Sequence, residues 1–433
     1  MDKIKNTILP FSFSVITLGC AKNEVETSRL EKAFNLIGWE ETSISKAEIV
    51  IVNSCAFIQD AIEETMQTID IVRHSLKKGQ NLFLYGCLVN LYLKTAKQKL
   101  NKINYLTLND IKKFSEKPGK SSKKFSNNEL PYYSRKKGGI FYLRVSDGCN
   151  NRCSYCTIPI IRGKLKSNSI NDLEKSIEEI KKRKPREVNL ISQDLSAWGS
   201  EKQVYENHYK LLKMLSSVPW IRFLYWHPAR IDKYLADLYK KFPNLVSYLD
   251  TPIQHVSNHL LKKMNRENQD LEKIKDNLML LKEARPDMVL RTTLMVGFPG
   301  ETEKDFLRLA DLVQDNLFTW IGIFAYSNMK NTLSYGFAEQ IPYNEKIRRY
   351  NFLTELRDRC TNEKLHEFMD KTYNCLIIGK DFQGIHARPY FSADDIDGHV
   401  LIENSSVKIR SGSFKKIVIK QILYPDMIGE IIE

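Results

Sequence analysis

No apolar run in this sequence approaches the ~20 residues that a helix needs to cross a bilayer, which excludes a helical membrane span. Cysteine is scarce as well. Eight in 433 residues are too few for a disulfide scaffold, yet they fall in motifs too clustered for chance, so they read as ligands in a reducing compartment. Acidic residues are outnumbered, 52 against 66 Lys and Arg, leaving a formal net charge of +14. Such a field speeds encounter with a polyanion such as RNA or a ribosome, and it serves solubility equally well. What remains is ordinary for a globular chain, 42% hydrophobic and 27% charged. The length exceeds that at which one core keeps growing, so two or three domains are expected.

Lys3 and Lys5 precede an apolar stretch from Ile8 to Leu18, and Thr17-Leu-Gly-Cys20 faintly resembles a lipoprotein cleavage site. Pro10, Ser12 and Ser14 interrupt that stretch, and the downstream cysteines make no sense after export. A cytoplasmic location is therefore expected.

The first hundred-odd residues alternate strand and helix patterns. Ser14 to Leu18, Glu48 to Asn53 and Leu82 to Gly86 read as strands, and Glu24 to Ile37 and Ile58 to Leu76 as helices. This predicts a doubly wound parallel sheet over 1–111. Lys112 to Lys137 is lysine-rich and aperiodic, with Pro118-Gly119 and Ser121-Ser122, and reads as a basic linker. Six further strand candidates follow within 138–369: Ile140 to Val145, Val188 to Ser192, Ile221 to Trp226, Leu245 to Leu249, Val289 to Val296 and Ile321 to Tyr326. Helical patterns separate them, which predicts a partial (βα)6 barrel with its chemistry at the carboxyl ends of the strands. A long helix, Asn344 to Met369, closes that unit. Short strands punctuated by glycines at 379, 384, 398, 412 and 429 then predict a small antiparallel β-barrel over 370–433. The fold class is α/β with this small OB-like barrel appended.

Chemistry concentrates first in Cys149-Asn-Asn-Arg-Cys153-Ser-Tyr-Cys156, directly after the first strand of the central unit. Three thiolates on one short loop can hold three corners of a 4Fe-4S cluster and leave the fourth iron open. An open metal position takes an exogenous ligand. A zinc site would want a fourth residue, and no histidine lies near this loop in sequence. Cys20, Cys55 and Cys87 each lie at or just past a strand end of the first sheet, where doubly wound folds bind ligands, so the three are expected to converge on one crevice. Cys360 and Cys375 match no ligand pattern and read as structural.

The Cys149 loop, with Ser146-Asp-Gly148 before it and Ile158-Pro-Ile-Ile-Arg-Gly163 after it, resembles the radical S-adenosylmethionine (SAM) superfamily in its methylthiotransferase branch. Leu18-Gly-Cys-Ala-Lys-Asn23, Val52-Asn-Ser-Cys-Ala-Phe57 and Tyr85-Gly-Cys-Leu88 resemble the three segments that hold that branch's auxiliary cluster. The resemblance implies two 4Fe-4S clusters and SAM as cofactors, with Cys149, Cys153 and Cys156 ligating one cluster and Cys20, Cys55 and Cys87 the other. It implies that the open iron chelates SAM, that reduction generates a 5'-deoxyadenosyl radical, and that sulfide or methylsulfide rides on the auxiliary cluster. The cofactors carry this chemistry, so no catalytic side chain is expected. Tyr155 is expected beside the adenine. Gly297-Phe-Pro-Gly300-Glu301, after Arg291-Thr-Thr-Leu-Met-Val296, resembles the family's SAM-side turn, and the following helix start would offer free N–H groups to an anionic ligand. Ser192 and Gln193 end the second strand and are expected on the cofactor side, while His227 and His255 are expected to be structural or substrate-orienting.

Two branches compete, one modifying a tRNA adenosine and the other an aspartate of ribosomal protein S-twelve. Gly19-Cys-Ala-Lys-Asn23, Cys55-Ala-Phe-Ile58, Ile191-Ser-Gln-Asp-Leu-Ser-Ala197 and Tyr248-Leu-Asp-Thr-Pro-Ile-Gln-His255 resemble the ribosomal-protein branch. Ser392-Ala-Asp-Asp-Ile-Asp-Gly398 resembles an acidic segment of its terminal TRAM domain, where carboxylates suit docking to a basic ribosomal protein. Trp226-His227 and Asp250-Thr251 depart from the commonest residues there. The implied function is methylthiolation of an aspartate β-carbon. Its implied partners are that protein or the small ribosomal subunit, and a reductant such as flavodoxin or ferredoxin; tRNA stands second. A reading from another class is a non-catalytic iron-sulfur RNA-binding factor, against which stand two three-cysteine sites where an electron carrier would have complete protein ligation.

Overall fold

A computed structural model describes residues 12–95, 103–114, 125–204, 206–266, 269–403 and 409–432. The leader-like start from Lys3 to Pro10, and Pro118-Gly119 and Ser121-Ser122 of the basic stretch, lie outside the described residues.

The first unit is a parallel sheet of β1 (Ser12–Thr17), β2 (Glu40–Glu41), β3 (Ile49–Ser54), β4 (Asn81–Gly86) and β5 (Asn104–Tyr105), in the order β2-β1-β3-β4-β5. Helices α1 (Ala21–Leu36), α2 (Gln59–Ser75), α3 (Cys87–Thr95) and α4 (Leu108–Phe114) connect it. β3 is buried at every position, as a central strand covered on both faces should be. The order reverses between β1 and β3, so the crevice of a doubly wound sheet opens beyond those two strands.

The stretch read as a linker is partly structured, a correction to that reading. α4 runs past its start, and β6 (Tyr133–Arg135) pairs antiparallel with β7 (Ile140–Arg144). A three-residue strand is shorter than any window in which alternation can be recognised.

The central unit holds the six predicted strands in one parallel run: β7, β10 (Glu187–Ile191), β11 (Trp220–Phe223), β12 (Leu245–Asp250), β13 (Val289–Val296) and β14 (Trp320–Ala325), with β6 at the edge. A small ribbon of β8 (Ser146–Asp147) and β9 (Lys166–Ser167) flanks the cysteine loop, and α5 (Ile158–Ile161) lies between them. Outer helices α6 (Ile170–Lys182), α7 (Asn207–Met214), α8 (Lys233–Lys241), α9 (Asn258–Lys263), α10 (Leu271–Ala284), α11 (Glu303–Gln314) and α12 (Tyr343–Leu365) complete it. Side chains alternate across each strand. Phe141, Leu143, Val188 and Leu190 pack with the helices, while Ile140, Tyr142, Tyr248 and Trp320 face the other way.

The last unit is a closed barrel of β15 (Thr372–Lys380), β16 (Gly384–Pro389), β17 (Val400–Glu403), β18 (Phe414–Leu423) and β19 (Asp426–Ile431). It is antiparallel except for one parallel pair, β17 with β19. Its core residues Leu376, Phe391, Ile417 and Met427 share one cluster with Tyr142, Tyr248 and Trp320 of the central sheet.

The acidic segment before β17, expected to offer its carboxylates for docking, turns Asp394 and Asp397 inward and leaves only Asp395 exposed, at 60%. The Asp397 side chain is buried, accepting from Tyr248 Oη at 2.6 Å, Ala393 N at 2.9 Å and Arg291 Nε at 3.2 Å. Asp394 accepts from Tyr142 Oη at 3.2 Å, and Asp395 pairs with Lys136. The central unit's cations and hydroxyls take up these charges, a destination that composition cannot reveal.

Candidate iron-sulfur and cofactor site

Cys20 caps the start of α1 after β1, Cys55 follows β3, and Cys87 opens α3 after β4. All three sit at carboxyl strand ends, and they are close enough that Cys87 and Cys20 each push the Cys55 thiol up, to about 11, with burial the larger cause. Gly19 marks how tightly the first loop lies on the second: a Cβ there would meet Cys55 Cβ at 2.8 Å and its Sγ at 2.9 Å. Burial likewise raises the Cys87 thiol, while the neighbouring Arg162 guanidinium opposes that rise.

The second trio follows β7 on one loop. Burial raises Cys149 to about 11 and Cys156 to about 12, and both feel Cys153. The thiols of Cys55, Cys87, Cys149 and Cys156 are thus held protonated by burial, and a cation that binds them must release those protons. None of the eight cysteines is in a disulfide. Among the described residues, no three Cys, His, Asp or Glu side chains converge on a single-ion site. A multi-iron cluster differs in that its cysteines bind separate irons, so sulfurs standing apart at a strand-end crevice fit it.

Polar groups at the carboxyl end of the central sheet stand ready for a further ligand. The hydroxyls of Ser192 and Thr251 and Gln193 Oε1 are buried without hydrogen-bond partners among the described residues, while Gln193 Nε2 donates to Asp147 at 3.0 Å. Buried polar atoms are rarely left unpaired, so these suit a polar cofactor. Tyr155 lies edge-on to Phe298, 6.4 Å between centroids, and accepts from Arg266 at 3.3 Å.

The Gly297 turn is built otherwise than expected. Glu301 is buried with both oxygens engaged, by Arg349 Nη1 at 2.7 Å and by Gly297 N at 2.8 Å. Gly300 N donates to Glu339 O at 2.9 Å, and the start of α11 is closed by its own Thr302 and Asp305. Of the N–H groups expected to be free there, those of Gly297, Gly300, Thr302 and Asp305 are spent on the protein itself. His255 accepts through Nδ1 from Val256 N and Ser257 N and faces Glu301 through Nε2 at 3.6 Å, a structural arrangement. His227 accepts from Ala229 N, and burial lowers it to about 3, so it stays neutral.

Charged residues to which the sequence reading gave no role of their own frame both trios. Asp194 accepts from Asn151 of the cysteine loop at 2.6 Å and from Arg230 at 2.5 Å. Arg266 Nη1 lies 3.6 Å from Cys153 Sγ. Arg162 Nη2 lies 3.3 Å from Cys87 Sγ, and Glu26 pairs with Arg144 between the two units. Burial alone pushes the Glu26 carboxyl up, but Arg144, Arg162 and Arg29 outweigh it and hold it well below the usual carboxylate range. Two of these carried a signal in the sequence: Arg162, in the run just after Cys156, and Asp194, in the run that ends the second strand of the central sheet.

A six-stranded parallel half barrel carrying three cysteines on the loop after its first strand defines a class, the radical SAM enzymes. The Radical SAM superfamily matches residues 143–313, and the uncharacterized protein family UPF0004 matches residues 12–107. The radical SAM methyltransferase TsrM from Kitasatospora setae, solved with tryptophan and a SAM analogue, superimposes with a TM-score of 0.53 at 12% identity over 72% of each chain, a likeness of fold. At finer grain, the ribosomal protein uS12 methylthiotransferases RimO of Thermodesulfovibrio yellowstonii and Dictyoglomus thermophilum are 33% and 31% identical, covering 97% and 96% of this chain and 100% and 99% of their own. That of Thermotoga maritima is 31% identical over 96% of this chain and 98% of its own. The chain belongs to the RimO methylthiotransferase family, and it is a radical SAM enzyme.

Proposed function

We propose that this protein methylthiolates the β-carbon of an aspartate in ribosomal protein uS12. One observation carries the reading: two separate cysteine trios stand at the carboxyl strand ends of two adjoining sheets, and a single buried ion network joins them. When bound, two 4Fe-4S clusters and SAM supply the one-electron chemistry that replaces a carbon-bound hydrogen with a methylthio group.

Cys149, Cys153 and Cys156 would hold the cluster that meets SAM, and Cys20, Cys55 and Cys87 the sulfur-carrying one. Tyr155, wedged between Phe298 and Arg266, suits the adenine edge, and Ser192 and Gln193 bring unpaired polar atoms to the same face. Glu301 holds the Gly297–Gly300 turn in shape through Gly297 N and Arg349, which fixes the wall against which the cofactor lies. The sheet-crevice unit (1–111) then serves sulfur delivery, the central unit (138–369) hydrogen abstraction and the barrel (370–433) support. A flavodoxin or ferredoxin is the natural reductant, in the cytoplasm where uS12 is assembled.

The test is anaerobic incubation of reconstituted protein with SAM, dithionite and sulfide, offered either a peptide from the aspartate loop of uS12 or tRNA. A gain of about 46 mass units on the peptide, one hydrogen replaced by SCH3, is the expected result. A gain on tRNA alone would keep the chemistry and overturn the substrate; no gain and no SAM cleavage would overturn the enzyme reading.

A further inference from the structure

Arg162 comes six residues after Cys156 in the chain, yet its guanidinium lies in the cysteine crevice of the first unit. Nη2 donates to Asn23 Oδ1 at 2.9 Å and to Cys87 Sγ at 3.3 Å. Nη1 faces Glu26 at 3.5 Å and Asp147 at 3.7 Å, and Asp147 stands two residues before Cys149. The side chain is 6% exposed. One planar fork therefore touches a sulfur of the first trio and the entry to the second. Arg29 and Arg144 surround the same Glu26, so three guanidiniums meet two carboxylates and the crevice keeps an excess of positive charge.

We propose that Arg162 is a positioning residue that sets the reduction potential of the cluster held by Cys20, Cys55 and Cys87. The proposal rests on the reading that this trio holds such a cluster. Adding one electron makes a thiolate-ligated cluster more negative while no bond forms or breaks, so a fixed cation and an N–H donor at a ligand sulfur stabilise the reduced form more than the oxidised one. Both effects raise the potential. The guanidinium does this without mobility, because Asn23, Glu26 and Asp147 hold its remaining edges. Arg266 stands at Cys153 in a corresponding way, so each trio has its own buried arginine and its own electrostatic setting. An enzyme with two clusters in one cavity needs those settings apart, since an electron meant for one must not rest on the other.

The test uses the full chain with Cys149, Cys153 and Cys156 changed to Ala, so that one cluster remains, and follows its one-electron midpoint by EPR-monitored redox titration. Arg162→Gln in that background is expected to lower the midpoint by at least about 60 mV, a tenfold change in the equilibrium, at unchanged iron content. Arg162→Lys, which keeps the charge and loses the fork, should fall between the two. A midpoint within about 15 mV of the parent, less than a factor of two, with iron retained overturns the proposal. If Arg162→Gln loses its iron, Arg162→Lys decides: a lowered midpoint supports the proposal and an unchanged one overturns it. A parent that binds no iron removes the cluster reading itself, and the proposal with it.

Discussion

The ring of His208 is closed in by Trp198, Phe223 and Trp226, with centroids 5.4, 5.9 and 5.1 Å away, and it hydrogen-bonds Leu195 O through Nε2 at 3.0 Å. Burial lowers it to about 4, whereas the unfolded chain titrates it near 6.5. Between those values the unfolded state binds a proton that the folded state refuses, so stability rises with pH there and is lost as pH falls. Acidification from pH 7 to 4.5 should cost about 2–3 kcal/mol through this residue. Denaturant midpoints at the two pH values should separate further in the native protein than in a His208→Gln variant; equal separations would remove the assignment. The cysteines give a second test at this scale. Changing Cys20, Cys55 or Cys87 singly to Ala should drop iron from about eight to about four per chain, with the Cys149 trio giving the complementary loss. Full iron in all six variants would sink both assignments. The six cysteines were legible because thiolate chemistry needs that residue type at strand ends, while Arg162 and Arg266 were not, since an arginine's partners are set by tertiary approach.

Strand β4 ends at Gly86 with φ of +90°, and α3 begins at the next residue, Cys87. A Cβ at Gly86 would press on Asn53 and lie 3.0 Å from Ser54 O, inside the neighbouring strand end. Gly86→Ala therefore strains the backbone by about 1–3 kcal/mol and shifts Cys87 away from Cys55. The expected outcome is loss of about half the iron, read by iron assay and EPR; full iron with native EPR would show that the crevice tolerates the shift. At this scale the long strands were readable, because β3, β4 and the six of the central sheet are apolar runs bounded by turns. β2, β5, β6, β8 and β9 escaped, being two or three residues long and therefore shorter than the period that identifies a strand. The start of α11 escaped for another reason: the turn looked like an open N-terminus, but Thr302 and Asp305 cap one another, as sequence spacing allows and only geometry decides.

The three units share more than linkers. Tyr142, Tyr248 and Trp320 of the central sheet lie in one core with Leu376, Phe391 and Ile417 of the barrel, and Trp320 Nε1 donates to Phe391 O at 2.7 Å. At the centre of that interface Glu187 is fully buried, taking Arg222 Nε at 2.9 Å from its own sheet and Arg388 from β16. Removing one partner of a buried pair costs more than the pair contributes, because it strands a charge out of water. The costs should therefore be unequal. Arg388→Met leaves Glu187 with Arg222 and should cost about 3 kcal/mol, whereas Glu187→Gln strands Arg222 and leaves Arg388 only Asp394, at 3.9 Å, as a carboxylate partner, and should cost about 3–5 kcal/mol or more. Denaturant midpoints should fall in the order native, Arg388→Met, Glu187→Gln, and the barrel and central unit should unfold in one transition in the native protein. Separate transitions, or a Glu187→Gln midpoint at or above that of Arg388→Met, would mean that the barrel is a tethered module and that Glu187 is not its anchor.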